Sequence, residues 1–310
     1  MHPNIPLPPV TMSALDYGWE KVNEPQSFWL RFNSCTRAPG TWKDELFAAA
    51  RSIANRTEKP IWICSSGGID SEVACRAFFD QGIHFSVFTL EHEAGTNLHD
   101  IEYAKKWCRA RGVTQKIVKI DMPAFLTAGI DEYAKLYVAI HPFRYLQIKL
   151  LELVEEMGGY AVLCSDDQLY RADLEKSVIT RADLYLSLSN GNVVPFEWCK
   201  NNKTAHEPYF HFSTPELCLS YLRLPLVSFA LNNPELVFRH KSNTHMLKRV
   251  VYQSIWTDLE VRHISDGFEN IKPLFQKARE RLRERFESKF IQVDLPLTSF
   301  ESQLTSTLPA

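Results

Sequence analysis

A short glycine turn between an apolar segment and a helical pattern constrains this chain more than any other feature. Residues 61–64 are an apolar run that suits a strand buried in a parallel sheet. Ser66-Gly67-Gly68-Ile69-Asp70-Ser71 follows, and apolar residues then recur at helical spacing at positions 73, 74, 77 and 78. Glycines let the backbone turn sharply and approach an anion, and the start of a helix favours negative charge. The segment therefore predicts a phosphate-binding turn.

The polar residues of this turn have the chemistry that a phosphate ligand needs. Ser66 and Ser71 carry hydroxyl donors, and Asp70 can hold the turn or a magnesium ion. The alternative is a glycine turn without a ligand, but average residue usage gives only on the order of 10⁻⁴ chance matches to five such positions. The chain lacks both G-x-x-x-x-G-K-[ST] and G-x-G-x-x-G, so the turn is neither the usual kinase or GTPase loop nor the dinucleotide fingerprint.

Helical and strand-like patterns alternate on both sides of the turn. Thr41 offers an N-cap for a helix that runs to about residue 56. Further strands are predicted over 84–90, 117–120 and 160–164, and further helices over 71–80, 100–111 and 145–157. This order predicts an α/β fold, a parallel twisted sheet with helices on both faces, whose ligand site lies at the carboxyl ends of the strands.

The flanking regions have different patterns and divide the chain into three parts. Residues 1–40 are rich in proline and aromatic residues and predict an irregular N-terminal arm. Residues 41–170 form the predicted nucleotide-binding core, and residues 171–310 a mostly helical region with helices over 215–222, 243–256 and 271–290. The mixed charges of residues 277–289 predict a solvated amphipathic helix rather than a nucleic-acid reader.

Composition excludes several classes of protein. The formal net charge is −2, so the chain has no basic excess for binding long nucleic acid. It contains no run of eighteen apolar residues and no secretory signal, which predicts a cytoplasmic protein without a membrane partner. The seven cysteines include no C-x-x-C pair, and Cys64 and Cys164 are expected to be buried thiols. His206 and His211 lack the spacing of a zinc site.

The turn resembles the pyrophosphate loop of one enzyme superfamily. Ser66-Gly67-Gly68-Ile69-Asp70-Ser71 matches the S-G-G-x-D-S loop of the PP-loop ATP pyrophosphatases, the adenine nucleotide alpha hydrolase-like proteins of the HUP class. The resemblance implies that Ser66, Gly67, Gly68, Asp70 and Ser71 bind the β and γ phosphates of ATP. It also implies that the end of the second strand, at Leu90, meets the adenine, and that Mg²⁺ accompanies the nucleotide.

Within that superfamily the later segments are most similar to the synthetase domain of asparagine synthetase. Residues 161–167 occupy the place of an apolar strand followed by S-G-x-G-x-D-E, whose acidic residues serve the magnesium pyrophosphate. The resemblance therefore makes Asp166 and Asp167 candidate magnesium ligands, together with Asp70. The glycines of that motif are missing here, and a solvated turn is the alternative for both aspartates.

The same resemblance points to basic residues that would neutralise the pyrophosphate. Lys241 and Lys248 both fall in a segment similar to the lysine-bearing helix of asparagine synthetase, and Arg262 corresponds to its downstream arginine. Lys241 is favoured because it precedes the helix predicted over 244–256, although a solvated helix lysine is the alternative for each. Arg144 is a further candidate for this charge.

These residues lead to one expected activity and two alternatives. The first is an ATP-dependent ligase that adenylates a carboxylate or carbonyl oxygen, releases pyrophosphate, and lets an amine or ammonia displace AMP. The second is an enzyme that modifies a nucleobase of tRNA or DNA, and the third is a nucleotide-binding protein without turnover. Position 2 is His2 rather than the cysteine nucleophile of a glutaminase domain, so the expected partners include a separate protein that donates ammonia or an amine. An oligomer is also compatible with the sequence.

Overall fold

The computed structural model describes residues 14–20, 27–164, 170–172, 174–239, 241–260, 262 and 268–308, with the backbone alone at residues 19, 20, 27 and 241–245. The strands of this part of the chain are β1 (Leu15–Glu20), β2 (Ser27–Phe32), β3 (Ile61–Cys64), β4 (Ser86–His92), β5 (Gln115–Ile120), β6 (Tyr160–Leu163), β7 (Tyr170–Ala172), β8 (Leu184–Ser189) and β9 (Gln292–Pro296).

Helices occupy most of the remaining described chain. They are α1 (Trp42–Asn55), α2 (Ile69–Asp80), α3 (Leu98–Arg111), α4 (Met122–Ala124), α5 (Ile130–Tyr133), α6 (Pro142–Glu156), α7 (Val194–Asn202), α8 (Pro215–Leu222), α9 (Pro225–Asn232), α10 (Pro234–Phe238), α11 (Lys241–Ile255), α12 (Lys272–Phe286) and α13 (Leu297–Thr305). A π-helical turn, Phe125–Gly129, joins α4 to α5, and the segment Phe210–Phe212 forms a 3₁₀ turn.

A four-stranded parallel sheet positions the glycine turn. The strand order is β5-β4-β3-β6, so the chain leaves β3 toward one neighbour and later returns to its other side. Such a reversal opens a crevice at the carboxyl ends of the strands. Beyond β6, Glu207 extends the ladder: its N–H donates to the Ala161 carbonyl and its carbonyl accepts from the Leu163 N–H, both at 2.8 Å.

Both faces of the sheet are covered, as the alternation of β3 shows. Ile61 and Ile63 pack into the core that includes residues of α1, α2 and α3, whereas Trp62 and Cys64 face the core that includes residues of α6, α7 and α12. Successive side chains of a strand point to opposite faces, so a strand that is apolar throughout needs helices on both sides. The predicted α/β fold class is confirmed.

Local sequence signals placed several helix ends correctly. Thr41 caps α1 with a capping box, because its Oγ accepts from the Asp44 N–H at 3.2 Å while the Asp44 carboxylate accepts from the Thr41 N–H at 3.2 Å. Helix α8 begins at Pro215 and ends at Leu222, as predicted. Cys64 and Cys164 are both buried and free, as expected for small apolar side chains.

The prediction of an irregular arm over residues 1–40 was wrong for the residues that the structure describes there. Strands β1 and β2 pair antiparallel, from Leu15 opposite Phe32 to Glu20 opposite Ser27. Phe28 and Phe32 are buried, and the Phe32 ring lies 4.5 Å from that of Phe300 in α13. The alternation of apolar and polar residues in β1 and β2 was present in the sequence, but it is short. A helix far along the chain, α13, packs on its apolar face.

The region 171–310 is also less purely helical than predicted, because it contains a three-stranded antiparallel sheet. The strand order is β7-β8-β9, and β9 comes from the far end of the chain to pair with β8. Leu184, Leu186 and Leu188 of β8 are buried in alternation. Pairing between distant segments has no local signature, which explains why the helical pattern around it dominated the prediction. Among the described residues, no helix combines the length and apolar character needed to span a bilayer.

His206, beside the amino end of the sheet, is held in its neutral form. Its Nδ1 accepts from the Ala161 N–H at 3.0 Å, and its side chain has no exposed surface. Burial is the main cause that lowers the pKa of His206 to about 4, with Glu155 opposing and Lys59 reinforcing the shift.

This depressed pKa predicts a specific loss of stability in acid. An unfolded imidazole takes up a proton near its usual pKa of 6.5, whereas His206 in the fold does so only near pH 4. Between these values the unfolded state binds more protons, so the free energy of unfolding falls as pH decreases, by up to about 1.4 kcal/mol per pH unit for this residue. His206→Asn keeps an acceptor for Ala161 but cannot titrate. Urea denaturation between pH 4 and 7 should show a shallower pH slope for this variant than for the wild-type chain, and His84→Asn, at an exposed histidine, is the matched control substitution.

Candidate nucleotide site

The glycine turn lies between the carboxyl end of β3 and the start of α2, and its two glycines have different roles. Gly67 has a φ of +92°, and a Cβ there would lie 1.9 Å from the Asp100 carbonyl oxygen. Gly68 is the N-cap of α2 with a φ of −67°, and a Cβ there would meet only the Ser66 Oγ, at 3.3 Å. Gly67 is therefore required by backbone conformation and packing, and Gly68 leaves space open at the helix start.

Hydrogen bonds within the turn fix its shape. The Ser65 N–H donates to the Phe88 carbonyl at 2.9 Å, and the Gly67 N–H donates to the Ser65 Oγ at 3.2 Å. The buried Ser71 hydroxyl donates to the Gly68 carbonyl at 2.9 Å. Ser66, in contrast, is exposed. Of the two hydroxyls expected to meet phosphate, Ser66 thus faces solvent, while Ser71 closes the turn.

The first turn of α2 presents backbone donors that lack intrahelical partners. Gly68 has no side chain to cap the helix, and the first-turn N–H groups of Ile69, Asp70 and Ser71 have no intrahelical carbonyl to bond. Helix α2 has twelve residues, so its dipole adds partial positive charge at this end. Open space at Gly68, N–H groups without intrahelical partners and a helix dipole together make an arrangement suited to an anion.

Asp70 ties the start of α2 to α11 through both of its carboxylate oxygens. Oδ2 accepts from the Lys248 Nζ at 2.5 Å, and Oδ1 accepts from the Tyr252 hydroxyl at 2.7 Å. The Nε2 of His211 lies 3.3 Å from the Asp70 backbone oxygen. Burial works to raise the pKa of the Asp70 carboxyl, but Lys248, His211 and Tyr252 outweigh it and leave that pKa below its usual value. The carboxylate is therefore charged at neutral pH.

His211 lies in this network as a neutral ring. It is 4% exposed, and its ring stacks on that of Tyr252 with an interplanar angle of 10°. Burial lowers the pKa of His211 to about 4, against the opposing effect of Asp70. The positive charge beside Asp70 at neutral pH therefore comes from Lys248.

Arg262 contacts the other side of the turn. Its guanidinium donates to the Gly67 carbonyl and pairs with Glu72 of α2, and it lies 4.7 Å from the centre of the Tyr103 ring. Glu72 also accepts from the Arg76 Nε at 2.8 Å. Burial lowers the pKa of Arg262 to about 10, while Asp70 acts to raise it. The arginine remains charged, so a buried cation stabilises the backbone of the turn through the Gly67 carbonyl.

The structure describes the side chain of one of the two candidate lysines. Helix α11 begins at Lys241, so the expectation that this residue precedes the helix was wrong. The Lys241 side chain lies outside the described residues, whereas the Lys248 side chain, 12% exposed, ends at Asp70 in the turn. Position 248 is mid-helix, as the sequence indicated, but its face is the one that packs toward α2.

Arg144, the further candidate for the pyrophosphate charge, and Leu90, the candidate for adenine contact, have other neighbours. Arg144, in the first turn of α6, donates to the Gln147 Oε1 at 3.1 Å and to the Tyr209 hydroxyl at 2.9 Å. Tyr209 is two residues from His211, so Arg144 is linked to the site through that segment. Leu90 is 9% exposed, and its carbonyl accepts from the Asn97 Nδ2 at 3.0 Å, which braces the end of β4.

The magnesium ligands proposed from sequence are placed only in part. Asp166 and Asp167 lie outside the described residues. Asp70 is described, but a cation and a hydroxyl already bond its two oxygens, so a metal there would have to displace Lys248. In the described chain a separate group, His99, Asp100 and Glu269, offers ligand atoms within 4.8 Å of one another. Such partly exposed groups are common without an ion, so this geometry alone assigns no metal.

Two residues of the network were missed by sequence reasoning. Tyr252 is four residues after Lys248, so the two share one face of α11, and this spacing was the available signal. His211 had no such signal, because a 3₁₀ turn far from α2 in sequence carries it to Asp70.

Comparisons with known proteins give low similarities. No protein family and no curated protein matches the sequence. The NMN synthetase from Francisella tularensis aligns with 13% identity and a TM-score of 0.34, covering 80% of this chain and 94% of its own. The NH₃-dependent NAD synthetase from Campylobacter jejuni subsp. jejuni NCTC 11168 aligns with 14% identity and a TM-score of 0.32, covering 80% and 95%. The glutamine-dependent NAD⁺ synthetase from Acinetobacter baumannii aligns with 14% identity and a TM-score of 0.33, covering 79% and 53%.

The two glycines should respond differently to substitution. Gly67→Ala should lower the free energy of unfolding by about 2 kcal/mol or more, because its Cβ would strike backbone at a positive φ. Gly68→Val should change it by less than about 1 kcal/mol. The Gly68 variant should nevertheless lose nucleotide binding, because a branched side chain covers the donors of α2. Urea denaturation and fluorescent-nucleotide titration measure the two effects. Equal stability losses in both variants would contradict this division of roles.

Proposed function

We propose that this chain binds ATP with its β and γ phosphates at the glycine turn and cleaves it between the α and β phosphates. The observation that supports this most is the open, uncapped start of α2, which directly follows a parallel strand and has Lys248 held beside it by Asp70. Backbone donors and a fixed cation at one point suit the outer phosphates of a nucleotide.

The proposed reaction adenylates a second substrate. An oxygen of a carboxylate or carbonyl group attacks the α phosphorus, the bond to the bridging oxygen breaks, and pyrophosphate leaves with that electron pair. An amine or ammonia then attacks the activated carbon, and AMP departs. Negative charge grows on the leaving pyrophosphate, so fixed donors and a cation near it lower the barrier.

Lys248 is the residue that we assign to this charge. In the structure its ammonium is paired with Asp70 in a partly buried position, which holds the side chain close to the start of α2. Pyrophosphate carries more negative charge than one carboxylate and can share the ammonium with Asp70. Tyr252 holds the other Asp70 oxygen and so keeps the carboxylate oriented toward Lys248. Asp70 and Tyr252 would thus act as positioning residues.

The second substrate would lie at the carboxyl edge of the sheet between β3 and β6. Helix α6 returns the chain into β6, so its first turn lies at this edge, and Arg144 comes from that turn. Tyr209 fixes the Arg144 guanidinium there and itself donates to the Asn192 carbonyl at 2.6 Å. A fixed guanidinium at this position suits a carboxylate or phosphate of the second substrate.

Mg²⁺ would enter with ATP rather than occupy a site prepared by Asp70. The described oxygens of Asp70 already serve Lys248 and Tyr252, and this arrangement does not fit a metal ligand. The assignment of Asp166 and Asp167 to the metal remains a prediction. No step above depends on a metal bound to the protein.

The products of ATP turnover test the proposal. The protein is incubated with Mg²⁺ and α-labelled ATP across pools of amino acids, nucleosides and RNA, and nucleotides are separated by chromatography. We expect AMP and pyrophosphate and, in a parallel reaction with unlabelled ATP and labelled pyrophosphate, transfer of that label into ATP in the pool that holds the substrate. Turnover in the RNA or nucleoside pool alone would favour a nucleobase-modifying enzyme. Formation of ADP as the main product would rule the proposal out, and tight ATP binding without turnover in any pool would favour a binding protein.

A comparison of the two lysines tests the assigned role of Lys248. Lys248→Ala should lower kcat by about 10²-fold or more with little change in ATP affinity, because the lysine acts mainly on charge that develops in the transition state. Lys241→Ala, on the same helix, is the control and should retain the wild-type rate. Tyr252→Phe should give a smaller loss of kcat with unchanged ATP affinity. Full activity in Lys248→Ala would transfer the role to another cation, with Arg144 tested next.

A further inference from the structure

A second cleft, outside the nucleotide site, lies between the segment that follows α5 and the end of α12. Its volume is about 290 Å³, close to the lower end of the range for small-molecule sites. The residues that characterise it are Lys135, Leu136, Tyr137, Arg285, Phe286 and Lys289. None of its lining residues belongs to the glycine turn or to the Asp70 network.

The charged residues of this cleft are all cationic. Lys135, Arg285 and Lys289 line it, and no acidic side chain does. Lys135 also bonds Glu132 at 2.7 Å on the surface, but among the ion pairs of the described residues none includes Arg285 or Lys289. Like charges around one concave surface repel each other, and an anion placed between them would remove that cost.

A helix-end effect accounts for only one of these cations. Arg285 is in the last turn of α12, where a positive charge complements the helix dipole. Lys135 comes from the turn after α5, and Lys289 lies beyond the end of α12, so neither belongs to that last turn. The convergence of the three is therefore a property of the cleft rather than of the helix.

Apolar surface lies next to these charges. Tyr137 and Phe286 are 4% and 5% exposed, so their rings are largely buried at the cleft, whereas Leu136 is 75% exposed. A large apolar side chain this exposed beside a concave surface can be covered by the apolar part of a ligand. The cleft thus offers cations for an anionic group and apolar atoms for the body that carries it.

We infer that this cleft is a second ligand site for a small amphipathic anion, a phosphate or carboxylate on an aromatic or aliphatic group. Arg285 and Lys289 bind the anionic group, Lys135 adds long-range attraction, and Leu136 covers the apolar part. The site is independent of the proposed ATP chemistry, because none of its residues takes part in that reaction.

Phenyl phosphate is the probe that tests this inference. Calorimetric titration is carried out on the full chain carrying Gly68→Val, so that the glycine turn does not compete for the probe, and each further variant is made in this background. Arg285→Gln and Lys289→Gln should each weaken phenyl phosphate binding by about threefold or more, the size expected for exposed cations. Arg283→Gln, an exposed cation of α12 that does not line the cleft, should change it by less than about twofold. Melting curves of all variants establish that they fold.

Two further measurements separate the apolar contribution from the charge. Leu136→Ser should weaken phenyl phosphate binding and leave the binding of inorganic phosphate unchanged, since only the former has a ring to cover. An equal effect of Arg283→Gln and Arg285→Gln would show a diffuse positive surface and overturn the site, as would the absence of saturable binding. Binding of α,β-methylene-ATP to the chain with Gly68 intact is measured in a separate titration, so a failure of the proposed function is distinguished from a failure of this site.

Discussion

The contact of Asp70 with Lys248 and Tyr252 is the interaction on which the site depends. It joins the first turn of α2 to the middle of α11, two elements separated by about 180 residues of sequence. Asp70 is partly buried, and Lys248 supplies the positive charge that keeps its carboxylate ionised there. The lysine therefore serves the structure before any ligand arrives, and its position beside the helix start follows from that role.

A second buried ion network supports the turn from the opposite side. Glu72, Arg76 and Arg262 are each less than a tenth exposed, and Arg76 reaches Asp258 at 2.6 Å. Such networks contribute little net stability over apolar packing, but loss of one partner leaves an uncompensated charge. In this protein the network fixes the conformation of the turn, because Arg262 donates to the Gly67 carbonyl. Gly67 has a positive φ, which only glycine tolerates without strain. The shape of the turn is thus fixed by sterics and by a buried cation together.

The C-terminal half of the chain packs on both faces of the parallel sheet that carries the glycine turn. Helix α12 belongs to the core on the α6 side, and α11 reaches the core on the α2 side through Val251 and Tyr252. Strand β9 then returns the chain to β8, and α13 covers the N-terminal hairpin. Apolar residues from near both ends of the described chain therefore pack in one core with residues of α2, the helix that follows the glycine turn. The division into an arm, a core and a helical region consequently describes the sequence pattern better than it describes the packing.

The sequence by itself determined the turn, its flanking strand and helix, and the parallel α/β core, because each has a local cause. Glycine at a positive φ, a capping box at Thr41 and apolar periodicity act within a few residues. Tertiary structure alone decided that Lys248 reaches the turn, that Tyr252 and His211 join it, and that Ser71 closes the turn while Ser66 stays exposed. It also decided the hairpin and the β7-β8-β9 sheet. These features depend on contacts between residues far apart in the chain. The pattern of one segment alone does not show which distant segment it will contact.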